Sequence, residues 1–172
     1  MVFVTVGSAS KGFRRLLEAV DQLAGAGAFG EDPVLMQVGP AAGFIPLHCE
    51  ARTFVSREGF QQFVQQASLI ICHGGATPLE IIRAGKVPIV MPRRKKYGEI
   101  VNDHQVEFVR ALTVEGRVIP AMEPEDLPEA IAKARQLNVT RRPLPSSPMV
   151  SLVAQALEEL TGGVVSRGRN AA

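Results

Sequence analysis

A chain of 172 residues, 46% apolar and 21% charged, has the composition of an ordinary globular domain and is long enough for one sizeable core. Its net charge of +2 is too small to argue for a nucleic-acid partner, and no apolar run approaches the roughly 20 residues that a membrane-spanning helix needs. The two cysteines, Cys49 and Cys72, form no C-x-x-C pair, so neither a disulfide frame nor a zinc cluster is expected and a reducing compartment is.

The chain opens on a β-branched run over residues 2–6, without the basic start of a signal peptide. It reads as a first core strand in a cytoplasmic protein and ends at Gly7-Ser8. A helix follows with Phe13, Leu16, Leu17, Val20, Leu23 and Ala24 on one face, closed by the glycines between 25 and 30. Residues 34–38 form a second strand, stopped by Gly39-Pro40, and residues 52–55 a third. A short helix over 58–66 turns Phe60, Phe63 and Val64 inward. Further strands are predicted at 68–72, 87–91 and 117–119, with helices at 78–84, 103–112 and 124–135. Strands alternating with helices define an α/β domain over residues 1–137, with a parallel sheet and right-handed crossovers. Three prolines make 138–148 a linker. An amphipathic helix over 149–161 then packs back on its own domain or reaches another chain, and 162–172 is a disordered tail.

The most informative stretch is Ser68 to Gln105. A buried strand runs into His73-Gly74-Gly75-Ala76, almost without side-chain bulk, and then into Thr77-Pro78-Leu79-Glu80. Thr77 suits an N-cap, Pro78 the first helical position, and Glu80 the third residue of a capping box. Such a strand–glycine turn–helix start suits a phosphate, because backbone N–H groups and a positive dipole end converge there. Ligands of parallel sheets sit beyond the carboxyl ends of the strands, where Gly7-Ser8 and His73-Gly74-Gly75 both fall. Glu80 serves the capping box, a ribose diol, or both. Arg93-Arg94-Lys95-Lys96 is a solvated run, or it meets a pyrophosphate, an anionic membrane or a partner. In Asn102-Asp103-His104-Gln105, Asn102 or Asp103 is the N-cap of a helix, or the four polar side chains suit a polyhydroxyl ligand. No Walker pattern, serine-nucleophile elbow or D-x-D pair occurs, and the three histidines are too scattered for a metal signature.

Taken together, V-T-V-G-S, R-L-L-E-A-V, H-G-G-A-T-x-x-E, G-K-x-P-I-V-M-P-R, K-Y-G-E and N-D-H-Q, in that order, resemble the C-terminal, donor-binding domain of family 28 glycosyltransferases. The likeness runs from about residue 1 to 160. It is strongest to the stand-alone type, similar to the small subunit of the dolichol-linked N-acetylglucosaminyltransferase and its bacterial exopolysaccharide counterparts. The resemblance implies a Rossmann-like sheet with helices on both faces, one half of a GT-B fold, that binds a UDP-sugar without a metal or other cofactor. It implies that Gly7, Ser8, His73, Gly74, Gly75, Ala76, Thr77 and Glu80 bind UDP and its diphosphate, and that Asp103, His104 and Gln105 hold the sugar. It also implies a separate membrane-anchored subunit that binds a lipid-linked acceptor, contacts the last helix, keeps this chain at the inner membrane face and supplies the catalytic base; no catalytic residue is assigned here. The family pattern H-x-G-x-G-[ST]-x-x-E has one more small residue than this chain, in which Ala76 runs directly into Thr77-Pro78.

Overall fold

The computed structural model describes residues 1–8, 11–40 and 43–139. Six strands form one parallel sheet among these residues: β1 (Val2–Thr5), β2 (Val34–Gln37), β3 (Glu50–Arg52), β4 (Leu69–His73), β5 (Ile89–Met91) and β6 (Ile119–Pro120). Their order is β3-β2-β1-β4-β5-β6, so the chain winds outward from the centre in both directions. Five helices connect and follow them: α1 (Arg14–Gly25), α2 (Arg57–Gln66), α3 (Thr77–Arg83), α4 (His104–Val114) and α5 (Leu127–Val139).

Right-handed crossovers put α1 on one face of the sheet and α2, α3 and α4 on the other. On the first face Val2, Val4, Val34, Met36, Ile71, Ile89 and Met91 meet Leu16, Leu17 and Val20 of α1 and Leu127, Ala130, Ile131 and Ala134 of α5 in one buried cluster. On the second, the Phe3 ring lies 5.8 Å from Phe60 and 5.4 Å from Phe63 of α2. The middle strands are buried on both sides, as their continuous apolar runs require.

Three expectations change. The third strand lies at Glu50–Arg52 rather than 52–55, and all three of its residues are exposed. Asp21, on α1, accepts the N–H groups of Leu47 and His48 at 2.9 Å each. This long-range clamp anchors the approach to the edge strand, and no local pattern encodes it. The last strand is Ile119–Pro120 rather than 117–119; an edge position tolerates a proline that has no N–H to donate. Helix α5 continues through Asn138 and Val139 into the expected linker; the rest of that linker, the helix at 149–161 and the tail lie outside the described residues. Residues 25–30 spell G-x-G-x-x-G, but they close α1 and lead into β2 instead of opening a helix, so they are no dinucleotide turn. No described helix is long and apolar enough to cross a membrane.

Candidate functional site

The strand order reverses between β1 and β4, which leaves a crevice at their carboxyl ends. Thr5 pairs with Cys72 there, so Gly7 and His73-Gly74-Gly75 emerge side by side. Each glycine has a specific neighbour. A Cβ on Gly7 would lie 2.6 Å from His73 Cε1, and one on Gly75 would lie 2.5 Å from His73 Nε2. The imidazole is thus held between the two turns. A Cβ on Gly74 would lie 3.2 Å from Pro92 Cα, 3.3 Å from Gln105 Cβ and 2.9 Å from Val109 Cγ2, which lets α4 and the end of β5 close on the turn. The space that the sequence leaves open at these glycines is used by the protein's own side chains. Gly7 also has a φ of 70°, where an L side chain is strained.

His73 is buried and its Nδ1 has no hydrogen-bond partner among the described residues. Burial, and then the charge of the nearby Arg93 guanidinium, lower its pKa to about 4, against a weaker opposing effect of the Thr5 carbonyl. The ring is therefore neutral at physiological pH. Arg93, the first residue of the basic run, is not solvated: only 2% of it is exposed. Its guanidinium donates to the carbonyls of Lys11 (2.7 Å), Gly12 (3.0 Å) and Val6 (2.9 Å) and lies 4.8 Å from the centre of the Phe13 ring. The rest of the run is largely neutralised. Arg94 and Lys96 both reach Glu123, at 3.2 and 2.7 Å. Arg15 joins Glu99 at 2.9 Å and Glu123 at 3.1 Å.

The start of α3 differs from the predicted capping box. Ala76 holds the N-cap position in right-handed helical geometry, without a side-chain cap, and Thr77 is already helical. With one residue fewer in the loop, the chain passes directly from Gly75 into the helix, so Thr77 cannot turn its hydroxyl back over the first turn. Glu80 is exposed and its carboxylate has no hydrogen bond or ion pair among the described residues. Among the same residues no backbone hydrogen bond engages the N–H groups of Gly75, Ala76 or Thr77.

On α4, Gln105 is fixed by its Oε1, which accepts the Arg93 N–H at 3.0 Å and leaves its NH₂ group to donate elsewhere. Asp103 accepts the Lys95 N–H through Oδ1 at 2.9 Å, and among the described residues its Oδ2 accepts no hydrogen bond. It occupies the N-cap position of α4 without capping it. The Asn102 side chain accepts the His104 N–H at 3.3 Å, and the exposed His104 ring points to Glu107 at 3.6 Å. The fold thus gathers Gly7, His73, Gly74, Gly75 and Gln105 in contact, with Ala76, Thr77 and Glu80 on the same turn. Ser8 is exposed just beyond Gly7. Residues that the sequence reading missed support the Gly7 turn. The Thr5 hydroxyl bonds Gln37 Oε1, Gln37 Nε2 donates to the Gly7 carbonyl at 3.3 Å, and Gly7 N–H donates back to Thr5 Oγ1 at 3.3 Å. A glutamine inside an otherwise apolar strand was the available signal.

The doubly wound sheet with its crevice at this switch point is Rossmann-like, and its likeness to solved glycosyltransferases makes it one half of a GT-B fold. Two solved structures align with it. The kitacinnamycin glycosyltransferase does so over 92% of this chain at 17% identity, with a TM-score of 0.53. The calicheamicin glycosyltransferase CalG4 does so over 97% at 18% identity, with a TM-score of 0.54. The chain spans 38% and 42% of those two proteins. Residues 1–158 match the glycosyltransferase family 28 C-terminal domain, and the chain belongs to that family. A comparison with curated proteins finds no significant match.

Proposed function

We propose that this chain is the donor-binding subunit of an inverting, metal-independent glycosyltransferase that uses a UDP-sugar. Its acceptor is a polyprenyl-diphosphate-linked sugar, in exopolysaccharide or glycolipid synthesis. The acceptor is presented by a membrane-anchored partner that keeps this chain at the inner membrane face. The observation that carries the reading is the set of unengaged groups at the switch point of a family 28 domain: the N–H groups of Gly75, Ala76 and Thr77, and the Glu80 carboxylate, all on one turn.

In this reading the diphosphate lies against those N–H groups, with Gly7, Ser8 and His73 lining the facing wall, and Glu80 accepts from the ribose hydroxyls. The Gln105 amide and the Asp103 carboxylate hold sugar hydroxyls, and His104 borders them. The acceptor hydroxyl attacks the anomeric carbon from the side opposite UDP. The charge that develops on the departing diphosphate is met by N–H groups already in place, and loss of one such donor typically costs on the order of 10²–10³ in rate. His73 is no candidate for the base, because a ring with a pKa of about 4, walled by two glycines, accepts a proton poorly at neutral pH. The base comes from the partner.

Reconstitution with the partner, a UDP-sugar and a polyprenyl-diphosphate acceptor tests this. Glu80→Ala and Gln105→Ala each lower transfer at least about tenfold, consistent with losing a hydrogen bond to a charged or polar ligand group, and EDTA has no effect. Transfer left unchanged by both variants would make the chain a non-catalytic nucleotide-sugar-binding regulatory subunit instead.

A further inference from the structure

Arg93 has an unusual environment for a charged residue. It is 2% exposed, and no carboxylate lies within ion-pair distance of it among the described residues. A buried charge is tolerated only when it is well hydrogen-bonded. Here the partners are three backbone carbonyls, of Val6, Lys11 and Gly12, all from the single connection between β1 and α1. The Arg93 main chain is tied as well, through its N–H to Gln105. One residue therefore fastens the connection that carries Gly7 and Ser8 to the strand end that carries Gln105. The Gly7 turn is held from its other side by Thr5 and Gln37.

We propose that Arg93 is a positioning residue for the nucleotide-sugar site: its guanidinium holds the β1–α1 connection so that Gly7 stays pressed on His73 and the crevice keeps its ligand-binding shape. This rests on the donor-site reading above. The geometry needs the fork of a guanidinium. Arg93 reaches Lys11 and Gly12 from Nη1 and Val6 from Nη2, whereas a lysine at this position carries the same charge on one nitrogen and lacks the planar fork. The guanidinium charge also lies close enough to His73 to disfavour a proton on its ring, so the same residue helps to keep the imidazole neutral.

Two variants of the full chain separate position from charge. Arg93→Met removes both, and Arg93→Lys keeps the charge. Each is first checked for a cooperative melt and a wild-type circular dichroism spectrum; if Arg93→Met does not fold, Arg93→Lys carries the test alone. The first readout needs no ligand: amide hydrogen exchange at Gly7, Lys11 and Gly12. The second is calorimetric titration with UDP. Exchange at those amides rises at least about tenfold in both variants, and UDP affinity falls by at least about tenfold in both, as loss of charge-assisted hydrogen bonds predicts. Wild-type exchange and wild-type UDP affinity in Arg93→Lys would overturn the proposal, because charge alone would then suffice. Faster exchange with UDP affinity unchanged would also overturn it, since the connection would not shape the site. If the wild-type chain does not bind UDP while exchange still rises in the variants, the nucleotide reading fails, and the role of Arg93 in holding the connection stands on exchange alone.

Discussion

Two polar regions lie at the carboxyl edge of the sheet, and they are built in opposite ways. Around Arg15, Glu99 and Glu123 every charge meets an opposite one, and Glu123 alone is reached by Arg15, Arg94, Lys96 and the Tyr97 hydroxyl. In the crevice between β1 and β4, by contrast, His73 Nδ1 is buried without a hydrogen-bond partner and the N–H groups of Gly75, Ala76 and Thr77 are unengaged among the described residues, whereas in the charged region the one buried nitrogen left over is Arg94 Nε, on a guanidinium already paired with Glu123. What sets the crevice apart is that its unengaged groups gather on one turn at the switch point of the sheet. The comparison teaches that density of charge is a poor guide to the site. Two residues of the conspicuous basic run, Arg94 and Lys96, belong to the charge network and Arg93 is held by backbone carbonyls, whereas the crevice is marked by small residues and one neutral histidine.

Gly7→Val and Gly75→Val break the comparison most severely. Each new side chain collides with the His73 ring, and a misplacement of about 1 Å at such a site costs on the order of 100-fold. Transfer assays of each variant with the partner present should show a loss of about that size, and UDP titration a clear loss of affinity. The buried imidazole gives the next effect. The unfolded chain binds a proton near pH 6.5, whereas the native ring resists it down to about 4. Between those values the unfolded state holds more protons, so stability falls as the pH drops through the window, by about 3 kcal/mol at the acid end. Urea unfolding of wild type and His73→Gln at pH 7 and pH 4 should show this extra loss only in the wild type. Glu80→Ala follows: it should weaken UDP binding about tenfold and leave the unfolding midpoint unchanged, because the exposed carboxylate has no protein partner to lose. The smallest effect belongs to the satisfied region. Glu123→Gln should cost about 1 kcal/mol of stability, the scale of a partly exposed ion-pair network, and leave UDP affinity at its wild-type value.

Much of the fold was legible in the sequence. The central strands are short β-branched runs buried on both faces, and such runs leave little alternative. The helices that face the core carry apolar residues at helical spacing. What failed depends on distant partners. Glu50–Arg52 pairs at the sheet edge, and the approach to it is clamped by Asp21 from another helix. The capping box spelled by Thr77 and Glu80 is absent because the shortened loop enters the helix at Thr77. The crevice was legible as Gly7, His73, Gly74 and Gly75, but the reason for the glycines was not. They make room for the His73 ring and for Gln105, an arrangement visible only once β1, β4 and α4 are packed. Arg93 was misread for the same reason: its three acceptors precede it by some 80 positions in the chain.

The central claim is that the unsatisfied crevice, not the satisfied charge network, receives a uridine nucleotide. Titration of isotope-labelled full chain with UDP, ADP and GDP, followed by amide NMR signals, tests it most directly. The account predicts saturable shifts with UDP, far weaker ones with ADP and GDP, centred on Gly7, Gly75, Ala76, Thr77 and Gln105 and sparing Glu99 and Glu123. Shifts centred on the Arg15–Glu99–Glu123 network, or none with any of the three nucleotides, would contradict it.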